Sequence, residues 1–378
     1  MRNRPFIVPT CLIIMALGGT ARLSAQTSPE ESARARGFPG AVYTMSNASD
    51  GNAILVFDRL ADGRLAQARS VSTGGNGTGA GLGSQGSLVL TRNQRFLLAV
   101  NAGSDSLSVL EIRPRGLRLI DVQPSGGSRP ISVTEDHGLV FVLNAGSDNI
   151  TGYALSRDGH LGLILGSTRA LSGSGTDPAQ VAFAPGGNVL VATEKATDKI
   201  VTFTVDRDGH PGEGQVQASN GATPFGFDFG KRDQLLVSEA FGGAENGSAV
   251  SSYDLDREGA IETISGSVPT NQTAACWVVV TPNGRFAYTT NTGSGSISGY
   301  SVDFDGTIAL LDGDGRNALT GDGSSPIDLA LTASGRFLYS LNAGTGTIGI
   351  FRAHADGSLV ARPFASGVPG SASGLAAR

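Results

Sequence analysis

Charge, cysteine, histidine and tryptophan are all scarce in this 378-residue chain. Only 16% of its residues are Asp, Glu, Lys or Arg, against roughly 25% in an ordinary globular domain. That excludes a coiled coil and a solvating acidic tail. The net charge is −5 and the isoelectric point near 5.4, so the basic surface that nucleic acid requires is missing and no DNA or RNA partner is expected. The two cysteines are Cys11 and Cys276. The apolar run Cys11–Leu17 is far shorter than the roughly 20 residues that span a bilayer, so no membrane span is expected. Arg2 and Arg4 precede that run, and Leu23-Ser24-Ala25 follows it. The pattern reads as a secretory signal peptide over residues 1–25, cut after Ala25, with a loose leader over 26–40. A secreted or periplasmic protein then keeps only Cys276, and one thiol makes no intrachain disulfide.

Glycine, by contrast, is abundant, at 55 residues. Each would cost a helix about 1 kcal/mol, which argues for β-structure. An X-Gly turn recurs at Gly63, Gly116, Gly159, Gly209, Gly259, Gly306 and Gly357, at separations of 43 to 53 residues. A second turn lies about 15 residues before each, opening at Asn47, Asn101, Asn144, Glu194, Glu239, Asn291 and Asn342. Alternating strands such as Ile297–Val302 run between them. Four short strands per repeat is the pattern of a β-propeller. A third turn, as in Pro282-Asn283-Gly284, occurs six times because the first unit starts in its second strand, at Ala41-Val42-Tyr43. The C-terminal Ser373–Arg378 resembles the missing inner strand. Residues 41–378 are therefore read as one all-β domain: a seven-bladed propeller of four-stranded antiparallel blades, its ring closed by the C-terminal strand joining blade 1.

All four histidines (137, 160, 210 and 354) fall at the turns on the face away from the expected site. A histidine-based triad or zinc site is therefore not expected at the opposite, channel-mouth face. The Asp-x-Asp-Gly strings lack the downstream glutamate of a calcium loop and read as hairpin turns. Positions that break the repeat are the informative ones. Glu194 and Glu239 replace Asn in blades 4 and 5, and blade 5 has the longest following loop, Phe241–Ser248. On the inner strands, a register holding Val89, Ser132, Ala182, Val279 and Ala330 holds Asp228 in blade 5. Arg129, Gln180, Thr273, Trp277 and Asp328 are expected near it. The plain alternative is that Asp228 and Asp328 bond to neighbouring backbone and that Cys276 is a buried structural thiol.

The strings Val280–Tyr288, Asn291–Tyr300 and Asp303–Ile308 resemble the seven-bladed lactonase family, which includes bacterial 6-phosphogluconolactonase and is related to the carboxymuconate-lactonizing enzyme. The likeness extends over the whole chain after the leader. It implies a glutamate at Ser238-Glu239-Ala240, whereas the family's His and Arg positions fall on Ala179, Phe225, Gly226 and Thr273. With those basic groups gone, the implied substrate is a small non-phosphorylated lactone, such as a sugar lactone or an acyl-homoserine lactone. Glu239, Glu194 and Asp228 are the expected catalytic carboxylates, activating water. Arg129, Gln180, Trp277 and Asp328 are the expected substrate-binding residues. A divalent cation such as calcium, on Glu239 and Asp228, is the alternative way to activate water. A non-catalytic propeller binding a glycan, peptide or envelope protein is the competing function, and a monomer is expected in either case.

Overall fold

A computed structural model describes residues 39–378 apart from Arg115, so the expected signal peptide and leader lie outside the described residues except for Pro39 and Gly40. Those residues form seven antiparallel sheets arranged as the blades of a propeller. Blade 5 is typical: inner strand Pro224–Phe229, then Leu235–Glu239, Ala249–Leu255 and outer strand Ile261–Pro269. In blades 3 and 6 the outer strand is split in two, at Leu161–Leu163 with Arg169–Ala170 and at Ile308–Leu310 with Ala318–Leu319.

Burial explains the sequence of each layer. Second strands such as Phe96–Asn101, Val189–Glu194 and Phe337–Asn342 are buried at every position. They are covered on both faces by neighbouring blades, so they run almost continuously apolar instead of alternating. Outer strands such as Gly116–Pro124 and Ile261–Pro269 stay part-exposed and carry the polar residues. The recurring glycines do two jobs. Gly357 has a φ of 86° and faces the Phe286 ring of the preceding blade, where a Cβ would come within 2.5 Å. Gly63 packs in the same way against Phe337. The hairpin turn and the inter-blade contact thus both require glycine at one position.

The Asn that recurs at the end of the second strand, in five of the seven blades, bonds beyond its own strand. Asn101 donates to Ser106 Oγ at 3.2 Å and Ser108 Oγ at 2.7 Å, and accepts from Thr73 Oγ1 of blade 1 at 2.7 Å. Asn291 repeats the donation, to Ser296 and Ser298. Asn144 and Asn342 likewise donate to Asn149 and Thr347 of the third strand, whereas Asn47 donates to Thr78 and to the Ala80 carbonyl, so four of the five Asn fasten the second strand to the third.

Ring closure follows the expected scheme. Ser373–Ala377 pairs antiparallel with Gly40–Met45 and is buried throughout. Arg378 continues the pairing, donating its N–H to Ala41 and accepting from Ala41 and from Arg59 Nε. One register differs from the expectation. Asp228 pairs with Leu236 and Val279 with Tyr288, while the blade 3 residue at that level is Thr134, paired with Phe141. Ser132 sits two residues nearer the mouth, because the blade 3 inner turn is only His137-Gly138.

Deleting Ser373–Arg378 is expected to lower unfolding free energy by more than about 4 kcal/mol, since it strips a buried strand and opens both neighbouring blade faces. Urea denaturation of the truncated chain measures this. A loss under about 1 kcal/mol would mean the ring does not depend on its closing strand.

Candidate active site at the channel mouth

The chain enters five of the inner strands through a residue in the left-handed region: Arg129, Asp177, Thr223, Ala274 and Ser325, with φ between 44° and 58°. Each of these carbonyls accepts an N–H from the residue that follows the second strand: Ala145, Lys195, Ala240, Thr292 and Ala343 respectively. Side chains from both columns ring the mouth. A left-handed non-glycine residue is strained, and neighbouring turns hold three of these connections in place. Asp105 accepts from the Arg129 N–H at 2.7 Å, Asp198 from the Thr223 N–H at 2.7 Å, and Asp148 from Gly175 and Thr176. The geometry repeats while the side chains change.

Blade 4 carries the charged pair. Lys195 stands where other blades have Ala or Thr, and its Nζ lies 3.4 Å from Asp177 Oδ1. The ammonium also donates to the carbonyls of Gly83 at 2.9 Å and Pro178 at 3.0 Å, and sits 4.9 Å above the Phe225 ring. Its side chain is 12% exposed, that of Asp177 57%. Burial lowers the Lys195 pKa from its ordinary value, with the Asp177 carboxylate opposing that shift. Arg129, on blade 3, is exposed and close enough to act electrostatically on Lys195. Phe225 and Trp277 pack with ring centroids 4.9 Å apart and planes tilted by 52°, and form the apolar wall with Ala179 and Cys276. The site therefore offers an exposed carboxylate, a desolvated ammonium and an apolar wall. That set suits an ester: a base for water, and a cation for a developing oxyanion.

The sequence-derived site residues are dispersed among other tasks. Glu194 and Glu239 are fully buried. Glu194 accepts from the Ser172 N–H and hydroxyl at 2.8 and 2.5 Å and from Thr197 Oγ1 at 2.5 Å. Glu239 accepts from the Gly221 N–H at 2.9 Å, Ser251 at 2.5 Å and Ser267 at 2.7 Å. Where Asn serves elsewhere, Glu194 thus gathers hydroxyls from its own turn and from the connection out of blade 3, and Glu239 from the third and outer strands of blade 5. Gln180 makes a reciprocal pair with Phe227, donating to its carbonyl at 3.1 Å and accepting from its N–H at 2.7 Å. Asp228 accepts from the N–H groups of Phe229 at 2.8 Å and Val280, in blade 6, at 2.7 Å. Asp328 likewise bonds Leu329 and, in blade 1, Leu375. Of the expected set, Arg129 and Trp277 lie beside the Asp177–Lys195 pair.

Desolvation pushes the Asp228 carboxyl up to about 6, and Asp328 well above its usual range. It also pushes the Cys276 thiol up to about 12, which suits the structural reading of that residue. Among the described residues no three His, Cys, Asp or Glu side chains gather as a metal site. Asp228 and Glu239 stand toward opposite ends of one strand pair, so they do not form the expected cation site. The Asp177–Lys195 pair is not among the expected site residues, because Lys195 lies one position beyond the Asn/Glu column that marks Glu194. The signal was present in the neighbouring column, which reads Ala102, Ala145, Lys195, Ala240, Thr292, Ala343.

The sequence profile of the family described as "Lactonase, 7-bladed beta-propeller" matches residues 42–170, 165–241 and 240–373. The chain belongs to this lactonase propeller family. Among curated proteins none matches it by sequence. Solved structures share its fold at low identity. The periplasmic gluconolactonase of Pseudomonas aeruginosa is 17% identical, with a TM-score of 0.70 over 89% of this chain and 98% of that one. A candidate 6-phosphogluconolactonase of Bacteroides fragilis is 19% identical, with a TM-score of 0.67 over 90% and 98%. A Lactobacillus plantarum protein is 18% identical, with a TM-score of 0.71 over 90% and 99%.

The raised Asp228 pKa carries a sign. The folded state holds this proton more tightly than the unfolded chain, whose carboxyl titrates near 3.9. Its contribution is therefore most favourable below about pH 4 and is lost as pH rises to about 6. Wild-type stability relative to Asp228→Asn should fall by on the order of 2–3 kcal/mol between pH 4 and 7, then level off. Urea denaturation of both proteins across that range checks it. A pH-independent difference contradicts it.

Proposed function

We propose that this lactonase-family propeller hydrolyses a small, non-phosphorylated lactone at the channel mouth, with Asp177 and Lys195 as its catalytic residues. The observation that carries the reading is their contact in a ring whose other members, apart from Arg129, are small, neutral side chains. Asp177 takes a proton from water as the water oxygen attacks the ring carbonyl carbon. Lys195 stabilises the oxyanion that forms. The ring C–O bond then breaks, and the proton on Asp177 passes to the departing alkoxide, giving the hydroxy acid. Phe225 and Trp277 offer an apolar wall to the ring. Arg129 is the single arginine in the left-handed column, which suits a neutral substrate better than a phosphate ester.

Export is part of the proposal, supported by the basic and apolar residues at the N terminus and by a periplasmic neighbour of the same fold. The competing reading, a propeller that only binds a glycan, peptide or envelope protein, draws support from the filled channel mouth described below.

Acid release from gluconolactone, its 6-phosphate and acyl-homoserine lactones, followed by pH-stat, tests the reading. Asp177→Asn should lower kcat/KM by about 10²–10⁴-fold, the usual worth of a general base. Lys195→Met should cost about 10²–10³-fold, mainly in kcat. Glu239→Gln should leave kcat within a few fold while lowering Tm, because its carboxylate holds the blade together. A dead Glu239→Gln enzyme beside an active Asp177→Asn enzyme would reverse the assignment.

A further inference from the structure

The channel mouth is filled by the chain itself. The connection from blade 1 to blade 2 leaves the outer edge at Ser72 and returns to the ring at Leu88. Its last part, Leu82–Gly86, crosses the mouth and bonds four blades. Leu82 N–H donates to Ser373 Oγ of blade 1 at 3.3 Å, and the Gly86 carbonyl accepts from the Val133 N–H of blade 3 at 2.8 Å. Ser84 Oγ donates to the Ile131 carbonyl, also of blade 3, at 2.8 Å. The Ser84 carbonyl accepts from Trp277 Nε1 of blade 6 at 3.0 Å, and the Gln85 N–H donates to the Ala179 carbonyl of blade 4 at 3.1 Å.

Gln85 fits a gap built for it. In blade 4, Gln180 ties its strand to Phe227 of blade 5 through both amide atoms. At the matching level blade 5 has Gly226, which has no side chain with which to tie blade 6. The Gln85 carboxamide takes that place. It donates to the Val278 carbonyl at 2.7 Å and accepts from the Val278 N–H at 3.0 Å. A Cβ on Gly226 would collide with Gln85 Oε1. Meanwhile the Gly83 carbonyl rests 2.9 Å from Lys195 Nζ, in the position from which that ammonium would polarise an ester carbonyl. Glycines flank and punctuate the segment. Gly81 has open space around its Cα, and Gly79, Gly83 and Gly86 all have positive φ.

We propose that Leu82–Gly86 is a displaceable strap, which closes the site in cis with a backbone carbonyl standing in for the substrate's, so that a lactone enters only when the strap lifts. This rests on the lactone-hydrolase reading for its ligand, but the closure itself can be tested apart from activity. Val278 and Phe227 are matched probes. Both amides are held by a glutamine side chain at the same level of the ring, and only that of Val278 depends on the strap.

Hydrogen exchange of the wild-type protein at rising urea is the test. The Val278 and Gln85 amides should exchange at least 100-fold faster than Phe227 and with little urea dependence, the mark of local opening. Equal exchange of Val278 and Phe227, both following global unfolding, overturns the strap. In Gln85→Ala, Val278 protection should be lost while Phe227 keeps its own, and lactone kcat/KM should rise about tenfold. A fall in turnover with Val278 exposed overturns the inhibitory role, since the segment would then be part of the working site. No turnover in either protein, with Val278 exchanging locally, leaves the strap standing and removes the lactone reading instead.

Discussion

The inner strands of neighbouring blades have to be held together without a continuous backbone ladder between them. Each blade forms its own sheet, so the inner edges meet around the channel with N–H and C=O groups that need partners. Polar side chains supply them. Ser132 and Thr134 accept from Val181 and Phe183, Gln180 pairs with Phe227, Asp228 accepts from Val280, and Asp328 from Leu375. Each such bond is worth only about 1 kcal/mol net, but leaving a buried amide unmet costs more. Polar residues on the inner strands are therefore expected from architecture alone, before any chemistry.

That constraint accounts for how far the sequence could be read. Blade number, strand order and the closing C-terminal strand were legible because glycine and asparagine turns recur at a fixed interval. The register of Ser132 was not, because the shortened turn at His137-Gly138 offsets it from the pattern by two residues. Asp228 and Asp328 stand out as carboxylates on inner strands, yet carboxyl-to-backbone ties across a blade junction look the same in sequence as an acid in a site. Glu194 and Glu239 depart from the Asn column, and their partners, Ser172, Thr197, Ser251 and Ser267, come from strands and loops whose contacts only the folded blade defines.

The proposed function rests on the positions where the repeat keeps its backbone and changes its side chains. The left-handed residue before each inner strand and the residue after each second strand meet through one hydrogen bond in five blades. In blade 4 those two positions are Asp177 and Lys195, which gives this ring an ion pair at its mouth. The strap uses the same architecture a second time. Gly226 omits an inter-blade tie, and Gln85 restores it from outside the blade, which couples the stability of the blade 5–6 junction to closure of the mouth.

A crystal structure with a non-hydrolysable cyclic analogue of a lactone, such as a lactam or cyclic ketone, addresses the account most directly. The ligand carbonyl should lie within hydrogen-bond distance of Lys195 Nζ, with Asp177 on the attacking side and Leu82–Gly86 lifted from Val278. A ligand bound on another face, with the Gly83 carbonyl still on Lys195, would contradict it.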